Sequence, residues 1–302
     1  MRILITGATG LIGQEIVKLC HKEQILVNYL TTSKSKITSA KEYQGFYWNP
    51  KENEIDTACF KDVEVIIHLA GASIAKRWTS SYKNEILSSR IIPTQLLIET
   101  IKKGNYPIKQ VVSASAIGIY PDCRTHYYDE TFNESYDSFL YQVVQQWEQA
   151  VDGFSTLGII VSKLRTGLVL SEKGGALPQI VNPIKLGLGA AFGTGKQWQS
   201  WIHIEDLAHI YLYVLKQRLE GVYNAVAPNA VTNKELTKTA AQVLERPLFL
   251  PNIPKGLMKL ILGDMHTLLF ASQRVSSKKI EDEGFDFEFH HLKPALVDVL
   301  KR

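Results

Sequence analysis

The stretch "MRILITGATGLIG", residues 1–13, decides the fold of this 302-residue chain. A short apolar, β-rich run (Arg2–Thr6) stops at Gly7, and an amphipathic run begins at Leu11, so the spacing predicts a strand passing through a tight turn into a helix. Gly7, Gly10 and Gly13 stand in T-G-x-x-G-x-x-G order. Such a helix start offers unpaired N–H groups and the positive end of its dipole to a pyrophosphate. A side chain at Gly10 would obstruct the phosphates, and one at Gly13 would wedge the helix from the strand. The turn therefore predicts a dinucleotide held by Thr6, Gly7, Thr9, Gly10, Leu11, Ile12 and Gly13. The alternative is a glycine-rich turn that holds nothing.

Beyond the turn, further strands are expected at Ile25–Leu30, Gly45–Trp48, Val63–Leu69, Gln110–Ala114 and Ile159–Arg165, with helices starting near Ser81, Ser138 and Glu205. The strands do not alternate polar and apolar residues, which implies burial on both faces. Separated by helices, they predict an α/β fold: a doubly wound parallel sheet (Rossmann fold) with a smaller, mainly helical C-terminal lobe on the substrate side. The expected division is a nucleotide-binding domain over 1–226, with 167–200 looping out to the substrate side, and a cap domain over 227–302. "GGAL" and "LGLGAAFG" are expected to form a loop over the cofactor, since glycine tolerates the angles such lids need.

Composition bounds the function. The chain is 45% hydrophobic and 21% charged, with a net charge of +4. Its cations are scattered rather than lined up along a phosphate track, so nucleic acid is not an expected partner. The three cysteines are far apart and show no metal-ligand spacing, so no metal is expected and free thiols in a reducing compartment are. No leader pattern is visible. The run "GLMKLILGDMHTLLFA" is interrupted by Lys259 and Asp264, too charged to span a membrane. Cytoplasmic location with no membrane partner is the expectation.

Nucleotide choice is made at the end of the second strand. A carboxylate there would bond the ribose 2′-hydroxyl of NAD and repel the 2′-phosphate of NADP. The chain reads "NYLTTSKSK", supplying Thr32, Ser33 and Lys34 and no acid, so NADP(H) is favoured over NAD(H). The fourth strand delivers Leu69, Ala70 and Gly71 to the carboxyl edge of the sheet, where small residues let an adenosine ribose pass closely. Arg77 follows, either to reach a phosphate or to sit on the surface.

With these pieces the chain resembles an extended, atypical short-chain dehydrogenase/reductase of the NAD(P)-dependent epimerase/dehydratase-like subgroup with a C-terminal domain of unknown function. The resemblance runs through "TGATGLIG", "HLAGASIAKRWT", "SSRIIPTQLL", "SASAIGIY", "LRTGLVLSEKGGAL", "GTGKQWQSWIHIEDLA", "YNAVAPNAVTNKEL" and "EGFDFEF". It implies a small-molecule substrate, and a homodimer through the helices near Ser81 and Ser138 is a candidate assembly.

The family's chemistry implies a tyrosine four residues before a lysine on one helix face. A phenol near pKa 10 must be lowered by about three units, about 4 kcal/mol, to act as a base at neutral pH. "SFLYQVVQQWEQAV" (138–151) breaks that pattern. Anchored on Glu148, which matches an acid following the family lysine, Leu140 takes the tyrosine position and Val144 the lysine position. Tyr141 in the shifted register meets Gln145. Tyr47 and Lys51 have the spacing but flank Pro50, so they cannot be the helical pair. The remaining hydroxyls at that strand edge make Tyr120 and Ser115 the candidate catalytic residues, each with a structural role as the alternative. On the substrate side, Trp198 and Trp201 could wall the nicotinamide or fill the core. His203 could edge that wall or be satisfied internally. Arg165 could anchor an acidic substrate group or form an ion pair within the fold. Two functions stand: an oxidoreductase or epimerase-like enzyme with a non-standard acid, or a catalytically silent NADP(H) sensor or scaffold.

Overall fold

The computed structural model describes residues 1–301. Seven parallel strands form the central sheet: β1 (Arg2–Thr6), β2 (Leu26–Thr31), β3 (Tyr43–Asn49), β4 (Val63–His68), β5 (Gln110–Ala116), β6 (Ile160–Thr166) and β7 (Gly221–Ala225). Their spatial order is β7-β6-β5-β4-β1-β2-β3, with the two-residue strand Glu54–Ile55 added antiparallel beyond β3. The order reverses direction at β1, between β2 and β4. That reversal opens a crevice at the carboxyl ends of the strands, and the glycine turn sits in it. Valine, isoleucine and leucine fill the strands because helices cover both faces. One core, against α1 (Leu11–Lys22) and α5 (Ile204–Gln217), buries Ile3, Ile5, Ile67 and Tyr211. The other, against α2 (Ser80–Gly104) and α3 (Phe139–Asp152), buries Leu4, Ile66, Val111 and Trp147; α4 spans Leu177–Lys185.

Helices α2, α3 and α5 start where the sequence provides a side-chain cap. Thr79 accepts from the Tyr82 N–H, and Ser138 accepts from the Tyr141 N–H. α5 is capped by the imidazole of His203, whose Nδ1 accepts from the Glu205 N–H at 3.2 Å. "GVYNAV", where the sequence pattern changes, supplies β7, which pairs with β6 and closes the sheet.

The longer remaining helices are α6 (Asn233–Val243), α7 (Lys255–Leu262) and α8 (Leu292–Lys301), with two short ones, Thr267–Phe270 and Lys278–Asp282, between α7 and α8; α8 packs on α6. Leu292, Ala295, Leu296 and Val299 pack with Leu170, Leu177 and Trp201, so residues from before and after β7 share one small core. A strap, "FDFEF", fastens this lobe to the main body. Phe285 and Phe287 enter the core around α5, while the buried Asp206 carboxylate accepts from the backbone N–H groups of Glu288 (2.9 Å) and Phe289 (3.1 Å). Asp206 was readable only as an acid easing a helix start; its partners lie some eighty residues away. Asp206→Ala leaves those two N–H groups without their acceptor, at a cost of about 1–3 kcal/mol for each buried one. A thermal unfolding midpoint equal to that of the wild type would contradict this.

Candidate functional site

The glycine turn is built by close contact. Gly7 has φ +73°, a left-handed angle that L side chains rarely adopt, and it stands against the backbone of Leu69. The Gly10 N–H donates to the Gly7 carbonyl at 2.9 Å, and Gly10 then caps α1 without a side-chain bond. At Gly13 a Cβ would lie 2.3 Å from the Gly7 oxygen and 2.7 Å from Ala8 Cα. The constraint at Gly13 is therefore the turn itself rather than the neighbouring strand. Gly174 and Gly175 of the "GGAL" loop lie against the side chain of Leu11, over the start of α1.

Thr6 plays another part than the one expected. Its side chain is fully buried, and Oγ1 accepts from the N–H groups of Leu69 (3.0 Å) and Ala70 (3.1 Å). The same oxygen lies 2.8 Å from His68 Nδ1, whose other nitrogen lies 3.0 Å from Thr94 Oγ1. Thr94 donates to the Arg90 carbonyl at 2.6 Å. Its hydroxyl must therefore accept from His68 Nε2–H, which leaves Nδ1 to accept from Thr6. Burial pushes the His68 imidazole down to about 4, so it stays neutral. Farther along, the Ala72 N–H donates to Ser89 Oγ at 2.9 Å, and Arg90 donates to the Ala72 carbonyl at 3.3 Å. Leu69, Ala70 and Gly71 thus form a floor pinned from both ends. His68, Ser89, Arg90 and Thr94 were not singled out from sequence, although a histidine ending an apolar strand ("VIIH") was the available signal.

Thr32 and Lys34 are exposed and Ser33 half-buried, immediately past β2, where the hydroxyl and cation cluster was expected. The Lys34 ammonium lies 4.7 Å from the Tyr47 ring centre. Arg77 is exposed on the loop before α2, beside Gly263.

The face of α3 that would carry the proton relay is hydrocarbon. A Cβ on Gly118, in the turn after β5, would lie 3.3 Å from Leu140 Cβ and 3.6 Å from Val144 Cγ2. Tyr141 lies one position off this face, its hydroxyl accepting from Gln145 Nε2 at 3.0 Å.

Neither catalytic candidate has its hydroxyl proton free. Ser115 donates to Glu148 Oε1 at 2.5 Å. Tyr120 is fully buried, donates to Asn224 Oδ1 at 2.8 Å and accepts from Arg165 Nη1 at 3.0 Å. Burial, opposed by the Arg165 cation, pushes its phenol up to about 12, the wrong direction for an acid at neutral pH. Arg165 in turn holds Glu148 through two 2.9 Å bonds, Nε to Oε1 and Nη2 to Oε2, so it is committed to an ion pair inside the fold. Burial alone would raise the Glu148 carboxyl, but the Arg165 fork and Ser115 hold it below its usual range. Glu148 sits on the apolar stripe of α3, between Val144 and Val151. A lone acid in that row was the signal for a buried partner.

A groove of about 350 Å³ along the flank of α3, lined in part by Glu130, Gln145, Lys163 and Arg165, carries cations that are already neutralised. Lys163 pairs with Asp152 at 2.6 Å.

Trp201 is not part of a wall over the crevice. Trp201 is fully buried in the small core and donates to the Asn229 carbonyl at 2.9 Å. Trp198 donates to the Arg124 carbonyl at 3.0 Å and lies under the Arg274 guanidinium. His203 is 1% exposed, caps α5, packs on Phe289 and faces Asp298 across 3.1 Å. The Glu205 and Asp298 carboxylates come within 4.8 Å of its ring nitrogen, with Lys18 3.8 Å from Glu205.

A model of the "NAD dependent epimerase/dehydratase family" matches residues 3–226, and a "domain of unknown function (DUF1731)" matches 253–299. An epimerase family protein of Staphylococcus saprophyticus is 37% identical over 299 residues, covering 98% of both chains. The human epimerase family protein SDR39U1, solved with NADPH, superposes with a TM-score of 0.85 at 28% identity, covering 100% of this chain and 99% of that one. A nucleoside-diphosphate sugar epimerase from Corynebacterium glutamicum gives 0.79 at 28% identity, covering 99% of this chain and 58% of that one.

Two outcomes follow from the buried groups. His68 is held neutral with a depressed value, so the unfolded chain binds the extra proton below about pH 6.5. Stability is complete above that value and falls as pH drops toward 4, by up to about 3 kcal/mol from this group. Urea midpoints that stay flat between pH 7 and 5 would contradict the assignment. Glu148→Gln leaves the Arg165 cation buried without its counter-charge and should cost about 3–5 kcal/mol. Equilibrium unfolding at pH 7 measures it.

Proposed function

The chain belongs to the NAD-dependent epimerase/dehydratase family, and on that premise we propose that it is an NADP(H)-binding oxidoreductase or epimerase-like enzyme that acts on a small molecule without a protein-borne tyrosine–lysine relay. The observation that carries the reading is the turn at Gly7–Gly13. Its left-handed glycine and its lack of room for a Cβ hold free N–H groups at the mouth of the crevice, where a pyrophosphate would lie. Thr32, Ser33 and Lys34 past β2, with no acid among them, support NADP(H) over NAD(H), and NADPH accompanies the human relative's structure.

Bound there, the cofactor would supply hydride chemistry. The residues of this chain position it: the Gly7–Gly13 turn takes the phosphates, and the pinned Leu69–Ala70–Gly71 floor sets the approach of the ribose. Leu140, Val144 and Gly118 fill with hydrocarbon the face where the family's acid would act. A protein with this arrangement accelerates transfer by orientation, and the proton comes from solvent or from the substrate itself. A cytosolic location suits the free thiols, two of them buried.

The apolar relay face also favours a second reading, a silent NADP(H) sensor or scaffold. Titration by NADPH and NADH fluorescence, followed by NADPH oxidation with a panel of small carbonyls and quinones, separates the two. NADPH is expected to bind at least about tenfold tighter than NADH, with the preference reduced in Lys34→Glu. Failure of either nucleotide to bind overturns the proposal. Tight binding without oxidation by any panel member leaves the sensor reading.

A further inference from the structure

The second lobe presents an exposed apolar surface. On α7, Leu257, Leu260 and Ile261 stand at i, i+3 and i+4, one stripe of the helix, and are 49%, 79% and 55% exposed. No residue of this helix is buried. An amphipathic helix in a globular protein ordinarily turns its apolar stripe inward; here it faces out. The segment leading into α7 adds Phe249, 79% exposed, and the loop after α4 adds Leu186 and Leu188, at 76% and 59%. These segments are locked together. The Ile253 N–H donates to the Ala191 carbonyl, the Gly193 N–H donates to the Ile253 carbonyl, and Leu248 packs at Gly189.

The charges are one-sided. Residues 173–204 and 246–263 contain no Asp or Glu, while Lys185, Arg246, Lys255 and Lys259 are all exposed. A patch both greasy and cationic selects its partner. A second copy meeting it across a two-fold axis would bring like charges together. A nucleic acid would find leucines where it needs stacking surfaces. A bilayer with anionic headgroups meets both demands: the leucines and Phe249 enter the headgroup boundary while the cations stay at the phosphates.

We propose that α7 with its flanking loops is a docking surface for an anionic lipid bilayer, holding the protein peripherally with its second lobe on the membrane. Among the described residues no helix is long and apolar enough to cross a membrane. The expectation of no membrane partner rested on the lack of a spanning segment, and peripheral contact departs from it.

The test is flotation of the full chain with vesicles of phosphatidylcholine alone and of phosphatidylcholine mixed with phosphatidylglycerol. Binding is expected only to the mixed vesicles and should weaken with added salt. Each charge reversal, Lys255→Glu or Lys259→Glu, should lower affinity about fivefold. Phe249→Ser combined with Leu260→Ser should abolish flotation, with the circular dichroism and unfolding midpoint of the wild type retained. The proposal is overturned by no flotation with either vesicle, by equal flotation with neutral ones, or by a double-serine variant that still floats. A solution dimer dissociated by Leu260→Ser would overturn it too, assigning the patch to a second copy.

Discussion

A single close approach governs this structure: the start of α1 lies so near the Gly7 carbonyl that position 13 has no room for a β-carbon. Everything at the crevice is measured from that contact. It fixes where the first free N–H groups of the helix point and brings Gly7 against Leu69, which couples the ends of β1 and β4. The Thr6 hydroxyl then ties the same two ends by accepting two backbone N–H groups. An oxygen expected to face a ligand is instead what makes the floor rigid. Its absence from the ligand side costs the site little, because backbone groups carry most phosphate recognition at a helix start.

The second governing feature is electrostatic. Glu148 and Arg165 share a buried, two-pronged ion pair, and Ser115, Tyr120 and Asn224 complete its hydrogen bonds. A buried pair is stable only when its remaining lone pairs and protons are satisfied. The Ser115 and Tyr120 hydroxyls supply that satisfaction, which commits their protons within the fold. One and two turns from Glu148 along α3, Val144 and Leu140 close on Gly118, at the positions the family resemblance assigns to the relay. Under the proposed function, the glycine turn positions a cofactor and hydrocarbon stands at the place of the family's acid.

The parallel sheet and the glycine turn were legible in the sequence because they rest on local patterns: unbroken apolar runs, capping residues and glycines at a strand-to-helix junction; the strand order was not, because it is set by long-range pairing. β2 and β6 ran one residue beyond their expected ends, where Thr31 and Thr166 continue the ladder. What could not be read were roles set by distant partners. Nothing near Asp206 announces Glu288, and nothing near Trp201 announces that Leu292 and Leu296 will enclose it. The tryptophans, His203 and Arg165 have residue types common in active sites, but their partners decide their use. For Trp201, His203 and Arg165 those partners lie inside the fold.

The Thr94–His68–Thr6 line has one more implication. Every hydrogen in it points the same way, from the amides of Leu69 and Ala70 through Thr6, His68 and Thr94 to the Arg90 carbonyl. Both terminals are peptide groups, which neither take up nor release a proton in this pH range. A conducting relay needs to reverse its orientation after each passage, and this one has nowhere to reset from. It resembles a proton wire in composition yet behaves as an insulator, a fixed row of dipoles bracing the crevice.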